Sequence, residues 1–292
     1  MEKSSNLVRN LRKHFASLLE PTYGHDEANA LIMILFEHHF KINRIDIALN
    51  PDLCLNNQEY AIIEKSVEEL LTNRPVQYIT GETEFCGMRF SVDENVLIPR
   101  PETEELVSLI LSADSGRRTT GKINVLDIGT GSGCIAISLA KSLKDCIVTA
   151  VDISGKALEV AKKNARANEA DVRFVIDDIL SPQSTELIDN QFDIIVSNPP
   201  YVCDCEKRDM RANVLDFEPS TALFVSDDDP LLFYREIVNL AQHSLKPDGT
   251  VWFEINERFG EDMVLLCRNN GFSNTSVFRD FRDRDRFVRA RR

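Results

Sequence analysis

The run Val125-Leu126-Asp127-Ile128-Gly129-Thr130-Gly131-Ser132-Gly133 constrains the fold of this chain more than any other stretch. An apolar segment leads directly into glycines at alternate positions. Those glycines let the backbone turn tightly and approach a ligand closely. The residues that follow, over about 133–143, have helical patterning. The run therefore reads as a buried strand that turns sharply into a helix with free N–H groups at its start.

The same alternation continues along the chain. Strands are expected over 122–128, 146–152, 172–176, 192–197 and 250–255, with late strands near 275–278 and 286–290. Helices are expected over 156–168 and 231–245. Strands alternating with helices predict an α/β fold with a mostly parallel, doubly wound sheet. Residues 1–73 differ. Leu7, Leu11, Phe15, Leu18 and Leu19 recur at helical spacing, as do Ala28, Leu31, Ile32, Leu35 and Phe36, and then Ile62, Ile63, Val67, Leu70 and Leu71. These stripes predict a small helical bundle. Between the two, Val76, Tyr78, Ile79, Phe85, Phe90 and Val92 lie among Gly81 and Gly87 and suggest a hairpin. The expected organisation is a helical domain over 1–73, a hairpin linker over 74–100 and an α/β domain over 101–292.

Composition narrows the class of function. The net charge is −13 and the sequence pI about 4.9, which argues against a protein that wraps nucleic acid through its phosphates. The 7 cysteines have no disulfide-framework spacing and read as free thiols of a reducing compartment. Cys203 and Cys205 alone cannot close a tetrahedral zinc site, so no metal is expected. The N-terminus, Met1-Glu2-Lys3-Ser4-Ser5, has no apolar signal region, and no run is long enough to span a membrane. A cytoplasmic protein is expected.

Asp152 closes the strand after the glycine loop. A carboxylate there can accept hydrogen bonds from both ribose hydroxyls of an adenosyl ligand. NAD enzymes share a glycine-rich loop. Three details favour S-adenosylmethionine. The spacing is Gly-x-Gly-x-Gly. Asp127 precedes the first glycine and can attract the ligand's ammonium group. Asp177 and Asp178 end a third strand, where a carboxylate can reach the adenine amine. NAD and a ligand-free strand–helix turn are the competing readings, and a solvated strand end competes for Asp177 and Asp178.

Phe192-Asp193-Ile194-Ile195-Val196-Ser197 reads as a buried parallel strand ending in Asn198-Pro199-Pro200-Tyr201. Ligands of open α/β sheets bind beyond the carboxyl ends of strands, which puts this loop beside the cofactor. Two prolines remove two N–H donors and leave carbonyls and the Asn198 side-chain oxygen as acceptors. A planar amide or amine nitrogen needs such acceptors, because they favour the positive charge that develops as it takes a methyl group. Tyr201 offers a flat wall for the substrate.

Together these residues resemble a class I methyltransferase acting on nitrogen. The segments Arg74-Pro75-Val76-Gln77-Tyr78-Ile79-Thr80-Gly81 and Val96-Leu97-Ile98-Pro99-Arg100-Pro101-Glu102-Thr103-Glu104 narrow the resemblance to the bacterial release-factor glutamine methyltransferases, the PrmC or HemK family. It covers nearly the whole chain, and Glu218-Pro219, Ala222-Leu223 and the Arg-rich end agree with it. The resemblance implies a Rossmann-like, seven-stranded catalytic domain over 101–292 and an N-terminal substrate-recognition domain. It implies S-adenosylmethionine as cofactor, S-adenosylhomocysteine as product, and the glutamine of the Gly-Gly-Gln motif of peptide chain release factors as substrate. Gly129, Thr130, Gly131, Ser132, Gly133, Asp152, Ile179 and Asn198 would contact the cofactor. Asn198, Pro199, Pro200 and Tyr201 would hold the glutamine. Ile179 stands where the family often has an aromatic residue, so an apolar contact replaces stacking.

Two other readings compete. An adenine-amine methyltransferase on DNA or RNA would share the Pro-Pro loop, but it would have to extract its base from a stack and would usually carry a basic domain. A non-catalytic module could keep the fold. Arg100-Pro101-Glu102-Thr103-Glu104 reads as a helix start bordering the substrate mouth, with no catalytic role. The tail over 278–292, with seven Arg and three Asp, reads as a surface strand with a charged end, and local contact with an acidic or RNA-associated partner is the competing reading. Nothing demands an oligomer, so a monomer is expected.

Overall fold

A computed structural model describes residues 6–114 and 121–292. The polar start, Met1 to Ser5, lies outside the described residues. The chain divides into two units, Met1–Gly81 with Arg211–Phe217, and Glu82–Met210 with Glu218–Arg292.

The first unit holds helices α1 (Val8–Tyr23), α2 (His25–Phe40), α3 (Arg44–Leu49), α4 (Asn57–Leu71) and α5 (Val76–Thr80). Gly24, at φ 77°, separates α1 from α2, a conformation glycine adopts freely. Asn43 and Asn56 start α3 and α4 as capping boxes, with Asp46 and Glu59 reaching back. Val8, Leu11, Phe15 and Leu19 of α1 join Ala28, Leu31, Ile32, Leu35 and Phe36 of α2 and Ile63, Val67 and Leu70 of α4 in one core. Leu18, Ile62 and Leu71, expected in those stripes, are instead exposed. Each follows or precedes a buried neighbour, and adjacent helical residues are about 100° apart, so only one of each pair faces the core.

The stretch over 74–100 is more varied than the single hairpin expected. Pro75 caps α5, and Gly81, in the left-handed region, ends it. The hairpin proper is β1 (Glu82–Phe85) against β2 (Met88–Ser91). Cys86 and Gly87 both have positive φ, 49° and 72°, the conformation that a two-residue turn needs to match strand twist.

The second unit continues with α6 (Pro101–Asp114), β3 (Ile123–Ile128), α7 (Cys134–Ser142), β4 (Cys146–Asp152), α8 (Gly155–Ala167), β5 (Val172–Ile176), α9 (Thr185–Ile188), β6 (Phe192–Ser197) and β7 (Val202–Cys203). Next come the single turns α10 (Ala212–Leu215, part of the first unit) and α11 (Ser220–Leu223), then β8 (Phe224–Val225) and α12 (Leu232–Ser244). The chain ends with β9 (Leu245–Glu254), α13 (Gly260–Asn269), β10 (Asn274–Arg279) and β11 (Asp285–Arg291). Seven strands form one sheet in the order β10-β11-β9-β6-β3-β4-β5. The pairs β9–β6, β6–β3, β3–β4 and β4–β5 are parallel, whereas β10–β11 and β11–β9 are antiparallel. This is the mostly parallel α/β sheet expected.

Helices cover both faces. Ile123 and Val125 of β3 join the core beneath α6 and α7, while Leu126 and Ile128 join the opposite core beneath α12. Each such buried side chain contributes about 2 kcal/mol through loss of apolar surface from water. The chain leaves β3 toward β4 and β5, then returns to β3's other side through β6. The carboxyl end of β3 is therefore the switch point where a ligand crevice opens.

Candidate active site

Three carboxyl ends meet at that switch point. Ile128 of β3 is in register with Val151 of β4 and Ser197 of β6. The glycine loop, Asp152 and Asn198 therefore emerge side by side. The Ser197 hydroxyl donates to Ile128 O at 2.7 Å, joining the two strand ends.

Gly129, Gly131 and Gly133 all have positive φ, 73°, 54° and 81°. A Cβ on Gly129 or Gly131 would meet nothing within 4 Å, so these two border open space. A Cβ on Gly133 would lie 3.0 Å from Ile137 Cδ1 and 3.1 Å from Ala161 Cβ. That glycine lets α7 and α8 approach, whereas the other two shape the loop. Thr130 and Ser132 are buried within it.

Asp127 does not reach outward to a ligand ammonium group, as its sequence position suggested. It is fully buried, and its Oδ2 accepts the Thr130 hydroxyl at 2.6 Å and the Ala136 N–H at 3.1 Å. Burial pushes its pKa up to about 7. Its other oxygen, Oδ1, has no hydrogen-bond partner among the described residues. Asp152 accepts the Gly131 N–H on Oδ2 and the Ser154 N–H on Oδ1, each at 2.8 Å, so the expected ribose acid also braces the loop. Desolvation raises its pKa despite those two donors.

Asp177 has local partners at the end of β5. Its carboxylate accepts N–H groups of Asp178, Gln183 and Ser184 and closes a local turn. Those donors outweigh desolvation and lower its pKa. Asp178 uses Oδ1 on Leu180 N–H. Ile179 is half-buried against the core beneath α12. Ile153, next to Asp152, is 62% exposed, and no sequence expectation singled it out. An apolar residue directly after a strand-end acid was the available signal.

Asn198 and Pro200 are half-buried and Pro199 is buried. Asn198 Nδ2 donates to Thr103 Oγ1 at 3.3 Å, and Thr103 Oγ1 donates to Glu254 Oε2 at 2.7 Å. Tyr201 donates its hydroxyl to Glu254 Oε1 at 3.0 Å. Burial and the Glu254 carboxylate push the phenol well above its ordinary pKa. Asn256 Nδ2 donates to Tyr201 O at 3.2 Å and to Glu206 Oε2 at 2.9 Å, pinning the loop's exit. Glu218, which carried part of the family resemblance, is buried. It accepts Arg100 Nη2 at 2.5 Å and Ile98 N–H at 3.2 Å, fastening the chain that leads into α6. The Arg-rich end is the β10–β11 hairpin, where Arg279, Arg284, Arg286 and Arg291 pair with Asp283, Asp285, Glu257, Asp280 and Asp248.

These features have close counterparts in known proteins. A family model for a methyltransferase small domain matches residues 108–216, and one for a PrmC N-terminal domain matches residues 10–81. The release factor glutamine methyltransferase of Flavobacterium psychrophilum is 44% identical over 284 residues, which is 97% of this chain and 99% of its own. That of Bacteroides thetaiotaomicron is 44% identical over 274 residues, covering 94% of this chain and 96% of its own. Among solved structures, the hMettl16 catalytic domain is similar with a TM-score of 0.52 at 16% identity, covering 81% of this chain and 82% of its own. The human methyltransferase 10 domain containing protein gives 0.51 at 17% identity, covering 70% and 90%. The structural likenesses establish the fold alone. The sequence relatives go further: sharing 44% identity across 97% of its length with one of them, this chain belongs to the release factor glutamine methyltransferase family and is a methyltransferase.

Proposed function

We propose that the protein transfers a methyl group from S-adenosylmethionine to the side-chain amide nitrogen, N5, of the glutamine in the Gly-Gly-Gln motif of peptide chain release factors. The observation that carries this reading is the convergence of the glycine loop, Asp152 and Asn198 at adjacent strand ends, in a chain 44% identical to enzymes of that name. The −13 net charge favours a protein substrate over the adenine amine of a nucleic acid.

The residues suit the cofactor. The loop over 129–133 has open space at Gly129 and Gly131, and Asp127 braces it from beneath through Thr130 and Ala136. Asp152 would take the ribose hydroxyls, and Ile179 would line the adenine. When bound, S-adenosylmethionine supplies an electrophilic methyl on a sulfonium and leaves as neutral S-adenosylhomocysteine.

Asn198 Oδ1 and the carbonyls of the Pro-Pro loop accept the N–H groups of the substrate amide. A glutamine amide is a poor nucleophile because its lone pair is delocalised. Acceptors already in place stabilise the charge that grows on nitrogen, without reorganisation at the moment of transfer. The nitrogen gains a methyl and gives up one proton. Tyr201 and the prolines wall the amide and limit its orientations. The unit Met1–Gly81 is read as the substrate-recognition domain. The protein is read as a monomer and as cytoplasmic, its 7 cysteines being free thiols.

The test is methyl transfer from labelled cofactor to a purified release factor and to its Gly-Gly-Gln variant lacking the glutamine. Label should enter only the former, and equal labelling of both sinks the glutamine assignment. Asn198→Ala should lower kcat by about 100-fold, the loss typical of a preorganised polar group at a transition state.

A further inference from the structure

Thr103 and Glu254 lie beneath the 198–201 loop, 2% and 1% exposed. A carboxylate so buried is costly unless hydrogen bonds compensate. Glu254 accepts two, from Thr103 on Oε2 and from Tyr201 on Oε1. Its own backbone carbonyl takes the Tyr234 hydroxyl at 3.1 Å. Burial raises the Glu254 pKa above its ordinary value, although the two hydroxyl donors and the nearby Arg286 charge oppose that shift.

The direction of these bonds has a consequence for Asn198. A threonine hydroxyl has one proton and two lone pairs. Thr103 gives its proton to Glu254 at 2.7 Å, so only lone pairs face Asn198. Asn198 must then turn its NH2 group toward Thr103, as it does at 3.3 Å. The opposite flip would set two acceptors against each other. With the NH2 group held, Oδ1 is fixed on the side away from Thr103.

We propose that Thr103 and Glu254 are positioning residues that polarise the chain Asn198 Nδ2–H to Thr103 Oγ1–H to Glu254, so that Asn198 presents an acceptor, and never a donor, to the substrate amide. The proposal rests on the reading of Asn198 as that acceptor. The same carboxylate holds Tyr201, so one buried group orients both ends of the loop. Neither residue touches the reacting atoms. Generic residue types supply them, from α6 and from the end of β9.

The experiment uses the full chain with purified release factor and measures kcat, KM and cofactor affinity for Thr103→Val, Thr103→Ser, Glu254→Gln, Asn198→Ala and the Thr103→Val/Asn198→Ala double variant. Thr103→Val keeps the shape and removes the relay. It should lower kcat about 30-fold and leave cofactor affinity within about threefold of wild type, as misorientation of a reacting group does. Thr103→Ser restores the hydroxyl and should recover kcat to within about threefold of wild type. Glu254→Gln puts a donor where only acceptors stood and should also lower kcat by about tenfold or more. In the Asn198→Ala background Thr103→Val should cost nothing further, because both act through one side chain. Should Thr103→Val fail to fold, Thr103→Ala makes the same comparison. Wild-type kcat in a hydroxyl-free variant, or multiplying losses in the double variant, overturns the relay. Wild-type turnover in Asn198→Ala alone overturns the reading of Asn198 itself.

Discussion

Asn164 and Ser91 exchange two hydrogen bonds as if they were strand partners. The Ser91 N–H donates to Asn164 Oδ1 at 2.7 Å, and Asn164 Nδ2 donates to Ser91 O at 2.9 Å. The same Nδ2 donates to Ser132 O, also at 2.9 Å. One fully buried amide on α8 thereby ties the β1–β2 hairpin to the glycine loop. Asn164→Leu keeps volume but strands three backbone groups, the buried Ser132 O and the half-buried N–H and C=O of Ser91. We expect a loss of about 2 to 4 kcal/mol, since each unpaired buried group costs about 1 to 3. Urea unfolding measures this, and cofactor titration should show weakened binding. An unchanged urea midpoint would refute the clamp.

The glycines of the loop should differ when replaced by alanine. Gly131→Ala meets an unfavourable φ of 54° but no atom within 4 Å. It should cost about 1 to 2 kcal/mol from backbone strain alone. Gly133→Ala has the same kind of strain and also drives a methyl toward Ile137 and Ala161. Overpacking adds about 1 to 3 kcal/mol, so Gly133→Ala should be clearly the less stable. Equal unfolding midpoints for the two variants would refute the distinction.

Asp127 should make the ligand-free protein lose stability as pH rises. Burial lifts its pKa from the ordinary 3.8 to about 7. Below about pH 4 the carboxyl is protonated both folded and unfolded. Between there and about 7 the unfolded chain has released a proton that the folded chain keeps. Stability therefore falls over that window and levels off above it. Asp127→Asn cannot titrate. Its unfolding midpoint minus that of wild type should grow from the acid end of the window to the neutral end, and a constant difference would count against the buried acid.

Glu218 anchors the approach to α6. Glu218→Ala leaves the Arg100 guanidinium and the Ile98 N–H without their carboxylate. Breaking a buried pair by removing one partner costs about 3 to 5 kcal/mol, and Arg100 is partly solvated, so a loss near about 3 is expected. Glu218→Gln keeps acceptor capacity and should lose less than half as much. Chemical denaturation distinguishes the two, and equal losses would mean that the contact is only packing.

Much of the fold and part of the site were legible in the sequence. The expected strands over 146–152, 172–176 and 192–197 coincide with β4, β5 and β6: β4 and β6 are largely apolar runs, as buried parallel strands are, and β5 is a β-branched and aromatic segment at the sheet edge. Asp152 and Asn198 could be singled out because each stands at the carboxyl end of a largely apolar run, where the strand gives way to a loop. Asp127 and Asp177 were legible only as acids beside a ligand loop. Sequence shows a carboxylate near a ligand loop but not which backbone N–H groups will turn toward it. Residues 76–80 read as part of a hairpin and form α5, since five residues between Pro75 and Gly81 carry no period long enough to distinguish helix from strand.

The sequence by itself determined the order of elements, the glycine turn, the strand-end acid and the acceptor-rich loop, because each depends on neighbours a few residues away. Tertiary structure alone decided what supports them. Thr103 meets Glu254 across |i−j| = 151, Arg100 meets Glu218 across 118, and Asn164 meets Ser91 across 73. These are ordinary polar residues whose roles arise from burial, where a hydrogen bond left unmade is expensive. Burial is a property of the packed sheet and its helices, and no short stretch of sequence contains it.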